Sequence, residues 1–100
     1  MNLDSTFKWD LRKAESNWQK HRVRFETAAR VFADPLALTE QDRIEQGELR
    51  WQTIGLVEGH LLLLVAHTFV DQDNGSEAVR LISARKVDRK ERMRYENQIA

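Results

Sequence analysis

His60-Leu-Leu-Leu-Leu-Val-Ala-His-Thr-Phe69 is the most apolar run in the chain, and its apolar residues fall on odd and even positions alike. That pattern suits a central strand buried on both faces or a buried helix, because periodicity does not separate the two over so short a length. The flanks favour the strand. On one side Glu58-Gly59 has the form of a two-residue hairpin link, with glycine supplying the positive φ that the turn needs. On the other, Asp71-Gln-Asp-Asn-Gly75 ends in Asn-Gly, one of the strongest short hairpin signals. Arg50 to Val57 and Glu77 to Arg85 are therefore expected to lie antiparallel on either side of the run.

Further out, Thr6 to Trp9 reads as a short leading strand, and Asp10 as the N-cap of a helix whose Leu11, Ala14, Trp18 and His21 recur at three- and four-residue steps. A break at Arg22-Val23 separates it from a second helix carrying Phe25, Ala28, Ala29 and Phe32, which Asp34-Pro35 stops. The two helices form an αα-hairpin. Leu36 to Glu40 reads as a strand, and the acidic, polar Gln41 to Glu48 as a loop. Asp88 to Glu91 fits a capping box that opens a basic helix from Arg89 towards Gln98. The order is strand, helix, helix, four strands, helix, in one domain over residues 1–100.

With 41% apolar residues the chain has enough to build one modest core. It lacks cysteine, which removes disulfides, thiolate metal sites and a cysteine nucleophile. The sequence shows no apolar signal segment and no run near the roughly 20 residues that span a bilayer, so a cytoplasmic protein away from membranes is expected. Net charge is zero, but unevenly spread: residues 1–30 hold seven Lys/Arg against four Asp/Glu, residues 31–79 two against nine, and residues 80–100 seven against three. Such blocks are either solvated faces that balance one another or a basic surface for a polyanion beside an acidic one.

Motifs are mostly absent. The sequence has no phosphate-binding glycine loop, dinucleotide fingerprint, metal-type histidine spacing or nucleophile elbow, so no cofactor is called for. If both hairpins turn on two residues, Arg50 faces His67 and His67 faces Ile82, which projects Arg50, His67 and Arg80 from one face. Two guanidiniums and an imidazole would suit metal-free cleavage at a phosphodiester, with arginine forks on the phosphate and histidine moving protons. A one-residue bulge would break the grouping, and a histidine satisfied inside the core is the plainer reading of His67.

Phe7-Lys-Trp-Asp10, Asn17-Trp-Gln-Lys-His21, Val31-Phe-Ala-Asp-Pro35, Arg50-Trp-Gln-Thr-Ile-Gly55 and Arg80-Leu-Ile-Ser-Ala-Arg-Lys86, followed by Glu91 and Tyr95, resemble the BrnT family of bacterial toxins over nearly the whole chain. Ile82-Ser-Ala-Arg85 entering a basic helix, together with Lys20-His21, is the most specific part. The resemblance implies an α+β, RelE-like fold: a largely antiparallel four- to five-stranded sheet, the N-terminal αα-hairpin on one face, and a C-terminal basic helix. It implies a metal-independent endoribonuclease that cleaves RNA and inhibits translation and growth. The implied partner is a BrnA-like ribbon-helix-helix antitoxin in a heterotetramer, through which alone DNA is reached. A non-catalytic co-repressor partner of such an antitoxin is the alternative.

Carried over residue by residue, the resemblance makes Arg80 a phosphate clamp, with Arg50 or Arg85 assisting, while the strand registers leave His67 as the candidate general acid or base. Lys20, His21, Ser83 and Tyr95 become substrate-binding candidates. Each of these four also has a plain structural role: cations at a helix C-terminus for Lys20 and His21, a hydrogen bond within the sheet for Ser83, and packing of the last helix with a solvated hydroxyl for Tyr95. Two positions depart from the family pattern, Arg22 where glycine is usual and Val70 where arginine is common. An antitoxin segment bearing Asp/Glu is expected across the groove of Arg80, Arg85 and the Arg89 to Arg94 helix.

Overall fold

A computed structural model describes residues 6–98. Strand β1 (Thr6–Lys8) leads into helix α1 (Leu11–His21), a single α-turn α2 (Phe25–Ala28) that continues as a 3₁₀ turn (Ala29–Ala33), and strands β2 (Leu38–Glu45), β3 (Glu48–Val57), β4 (Leu61–Asp71) and β5 (Glu77–Lys86). Helix α3 (Arg89–Asn97) closes the described chain. The strands form one sheet in the order β1-β5-β4-β3-β2, so the apolar run lies at its centre. β2 to β5 meander antiparallel, but β1 pairs parallel to β5, with Lys8 beside Arg80. The sheet is therefore mixed rather than antiparallel.

Both faces of β4 are covered over Leu62 to Val65 because its side chains alternate there into two separate cores. Leu63 and Val65 point to a cluster with Val57, Leu81, Ala84 and the helical Phe25, Ala28 and Val31. Leu62 and Leu64 point the other way, to Ile54 and Tyr95 of α3. The 3₁₀ turn sits so close to β3 that a Cβ on Gly55 would lie 2.7 Å from Val31 Cβ and 2.8 Å from Val31 O, which explains glycine in a strand interior. The early helices are thus fastened to one face, while α1 lies along the edge of β5. There the Asn17 amide donates to Ala84 O and its carbonyl accepts from Ala84 N, both at 2.9 Å, standing in for a missing strand.

Helix starts follow the sequence. The Asp10 carboxylate accepts from Arg12 N, and the capping box of Asp88 and Glu91 is complete. Arg22 ends α1 in the left-handed region at φ 55°, a conformation that glycine adopts most readily after a helix.

Four expectations need correction. The second helix is one α-turn followed by a 3₁₀ turn, because Pro35 closes the segment before a longer helix can form. The acidic stretch expected as a loop is strand to Glu45, with only Gln46-Gly47 turning the chain, both at positive φ. Its polarity marks an exposed edge strand, which natural sheets protect with charge. The Glu58-Gly59 link includes His60, since Val57 pairs with Leu61. Finally, Asp71 pairs with Glu77, so the Asn74-Gly75 turn sits in a five-residue loop.

Candidate active site

Those two longer turns decide which side chains share a face. The extra residue at His60 places Trp51, not Arg50, opposite His67. Across β5, His67 pairs with Leu81 and Thr68 with Arg80. His67 therefore points into the helix-covered core, whereas Arg80 and Arg50 point to the opposite face. The expected grouping of Arg50, His67 and Arg80 does not form.

His67 is fully buried. Phe32 and Phe69 pack edge-on against its ring at 5.0 and 5.2 Å, and Nε2 lies 2.8 Å from Thr53 Oγ1, which in turn bonds Thr39. Burial pushes its pKa down to about 4. The imidazole is a neutral member of a core hydrogen-bond chain, on the sheet face opposite Arg50 and Arg80. In the unfolded chain it titrates near the ordinary 6.5, so between these values the unfolded state binds a proton that the folded state does not. Stability is full above that range and falls as pH drops through it. From pH 7 to pH 5 a loss of about 2 kcal/mol is expected from this group, read as a lower urea midpoint, and a folded His67→Gln variant should lack that part of the slope.

The opposite face carries a row of cations. Lys8 lies beside Arg80 on the parallel strand, Arg80 is opposite Thr68, and the β3 register continued by one residue sets Arg50 next to Thr68. Arg80 reaches across to Glu48, its Nη2 lying 2.6 Å from both carboxylate oxygens. Arg50 Nη1 is 3.4 Å from Glu45, and its Nε is 3.9 Å from Glu48. Two polar atoms at this spot are buried without a hydrogen-bond partner, Arg50 Nε and Thr68 Oγ1. They are unmet hydrogen-bonding capacity beside two guanidiniums, a suitable setting for an oxyanion.

A bulge after Leu81 extends this face. The register slips between Ala66 and His67, leaving Ile82 as the extra residue, so that Ser83 pairs with Ala66 and Arg85 with Leu64. Arg80, Ser83 and Arg85 thereby point the same way, which strict alternation would forbid. Arg85 is already engaged, its two terminal nitrogens 2.8 and 2.9 Å from the two oxygens of Glu91. The Arg85 hydrogen bonds hold the Glu91 carboxyl below its usual range, so this fork braces α3 against β5. Lys20, His21 and Ser83 come together with Lys13 and Ser16 in a cleft of about 230 Å³ between α1 and the bulge.

Tyr95 is a correction. Its hydroxyl is not in water but donates at 2.5 Å to Asp34, whose carboxylate also accepts from Leu36 N and Leu56 N. Burial and this bond push its pKa up to about 12. It ties α3 to the Asp34-Pro35 corner rather than facing the cation row.

A family model described as the ribonuclease toxin BrnT of type II toxin–antitoxin systems matches residues 9–91. The chain belongs to the BrnT family. Among solved structures, the 1.1 Å crystal structure of the Brucella abortus ribonuclease toxin BrnT is similar, with a TM-score of 0.61 at 24% identity, covering 85% of this chain and 99% of that one. At that identity the likeness is one of fold. No curated protein sequence matches. Membership makes this chain one of a family of ribonuclease toxins that act with an antitoxin partner. Among the described residues no helix is long and apolar enough to cross a membrane, and no group of three or more His, Cys, Asp or Glu could hold a metal ion.

Sequence reasoning missed Lys8, Lys13, Glu48 and Thr68. Lys8 lies in the quoted Phe7-Lys-Trp-Asp10 stretch, but only the parallel pairing of β1 sets it beside Arg80. Glu48 was hidden by reading its surroundings as a loop, and Thr68 by the register that turned it to the wrong face.

Proposed function

We propose that the chain is an endoribonuclease that cleaves RNA without a metal, and that the face bearing Lys8, Arg50, Thr68 and Arg80 binds the scissile phosphate. The observation that carries this reading is the pair of guanidiniums flanking buried, unpartnered Arg50 Nε and Thr68 Oγ1, beneath the half-exposed Arg80 and Glu48 side chains on the face opposite His67. Arg80 is the phosphate clamp and Arg50 assists it. The Lys20, His21 and Ser83 cleft takes the neighbouring backbone of the same strand, because attraction to a polyanion grows with the number of cations it engages. Purified protein should cleave single-stranded RNA in EDTA, and RNA left intact by folded protein contradicts the reading.

In this reading cleavage inhibits translation and growth, and a BrnA-like ribbon-helix-helix antitoxin neutralises the toxin in a heterotetramer that contacts DNA only through the antitoxin. An acidic antitoxin segment would cover the cation row and the exposed side of α3, where Arg89, Arg92 and Arg94 are exposed and Arg85 is paired with Glu91. Charge reversal at Arg92 and added salt should each slow association with the antitoxin. Unchanged association under both would put the partner elsewhere. A non-catalytic co-repressor is the second reading, favoured by Val70, an apolar residue that the register sets on the arginine face. Growth arrest on expression separates the two.

A further inference from the structure

With His67 turned into the core, the arginine face needs another group to accept a proton, and it holds several carboxylates with different commitments. Glu91 is nearly buried and spends both oxygens on Arg85 and Asp88 N. Glu40 sits 3.5 Å from Arg94 of α3, away from the cation row. Glu45 is shared between Arg43 and Arg50, each at 3.4 Å. Glu48 alone touches both members of the phosphate-binding pair, with both oxygens 2.6 Å from Arg80 Nη2 and one 3.9 Å from Arg50 Nε. Its side chain is 37% exposed, so a ligand can reach it.

We propose that Glu48 is the general base of RNA cleavage and that the substrate's own phosphate frees it for that task. The inference rests on the ribonuclease reading. In the unliganded protein Glu48 occupies the donor that the phosphate needs. An incoming phosphate, bringing its own negative charge to Arg80, Arg50 Nε and Thr68 Oγ1, exchanges with the carboxylate at Arg80 Nη2. The displaced carboxylate stays beside the phosphate because β3 carries Glu48 and Arg50 two residues apart on one face.

The step then balances without an electron donor or acceptor. Glu48 takes the proton of the 2′-hydroxyl, O2′ forms a bond to the adjacent phosphorus, and the bond from phosphorus to O5′ breaks. The leaving oxygen takes a proton from water, and Glu48 returns its own proton to solvent. A 2′,3′-cyclic phosphate and a 5′-hydroxyl result. The guanidiniums stabilise the charge that develops on the phosphoryl oxygens.

The test is Glu48→Gln, which keeps the shape and a hydrogen-bond acceptor for Arg80 but accepts no proton. Cleavage should fall by about 10²- to 10⁴-fold, the usual range for losing a general base. Affinity for the same RNA made uncleavable by 2′-O-methyl groups should hold or rise, since one negative charge has gone from the site. The unmutated protein should show a cleavage rate that falls about tenfold per pH unit on its acidic limb, and Glu48→Gln should lose that limb. Wild-type or faster cleavage by Glu48→Gln would make the residue a counter-ion only and overturn the assignment. So would a wild-type rate without an acidic limb, which also decides the matter if the variant does not fold. An unmutated protein that leaves RNA intact overturns the ribonuclease reading together with this inference, whereas active protein with an active variant overturns this inference alone.

Discussion

Leu63→Asp is expected to leave the chain unfolded at room temperature. Leu63 is completely buried at the middle of the central strand, where Gly55 and Lys86 are its register partners. Its side chain enters the core built by Val57, Val65, Phe25, Ala28 and Val31. Removing a leucine from such a place costs about 2 to 5 kcal/mol on its own. A carboxylate put there finds no cation inside that core and costs several more, against a total stability of about 5 to 15 kcal/mol. Far-ultraviolet circular dichroism should show the loss of sheet and helix together. A cooperative melt near the wild-type temperature would mean that β4 does not hold the two cores together.

Arg80→Ala is expected to lower RNA cleavage by about 10²- to 10³-fold in protein that remains folded, the effect of deleting one donor that stabilises transition-state charge. Its side chain is 43% exposed and that of its partner Glu48 37% exposed, so the pair contributes at most about 1 kcal/mol to stability. Arg80→Lys should recover only part of the activity, because an ammonium keeps the charge and loses the two-pronged fork. Thermal melts within a few degrees of wild type, beside the lost activity, distinguish a binding role from a folding one. Full cleavage by folded Arg80→Ala would remove this residue from the site.

The sequence made the elements legible where local chemistry is strong. Asp10, Pro35 and the Asp88 to Glu91 box set helix ends at short range, and the apolar run at Leu62 to Val65 marks the buried centre of the sheet. What was not legible were features fixed by single residues in turns. Whether His60 belongs to the turn or the strand cannot be read from Glu58-Gly59, yet that one residue turns Arg50 and His67 to opposite faces. The Ile82 bulge has no local signature, and it alone lets Arg80 and Arg85 share a face. The parallel pairing of β1 is likewise a long-range choice, and it adds Lys8 to the row. Of the residues expected at the site, Arg50, Arg80 and Ser83 share the open face, and the cleft joins Lys20 and His21 to Ser83. His67 and Tyr95 are drawn into the cores, and Arg85 is held by Glu91.

In the proposed reading RNA meets the arginine face while the histidine side of the sheet stays dry. Side-chain NMR of the nitrogen-labelled protein, titrated with a 2′-O-methyl RNA oligonucleotide, tests it directly. The Nε–H signals of Arg50 and Arg80 should move and sharpen as the phosphate takes the place of Glu48, while the His67 imidazole signals stay where they are. Movement of the His67 signals with both arginines unchanged would contradict the account and place the RNA on the other face.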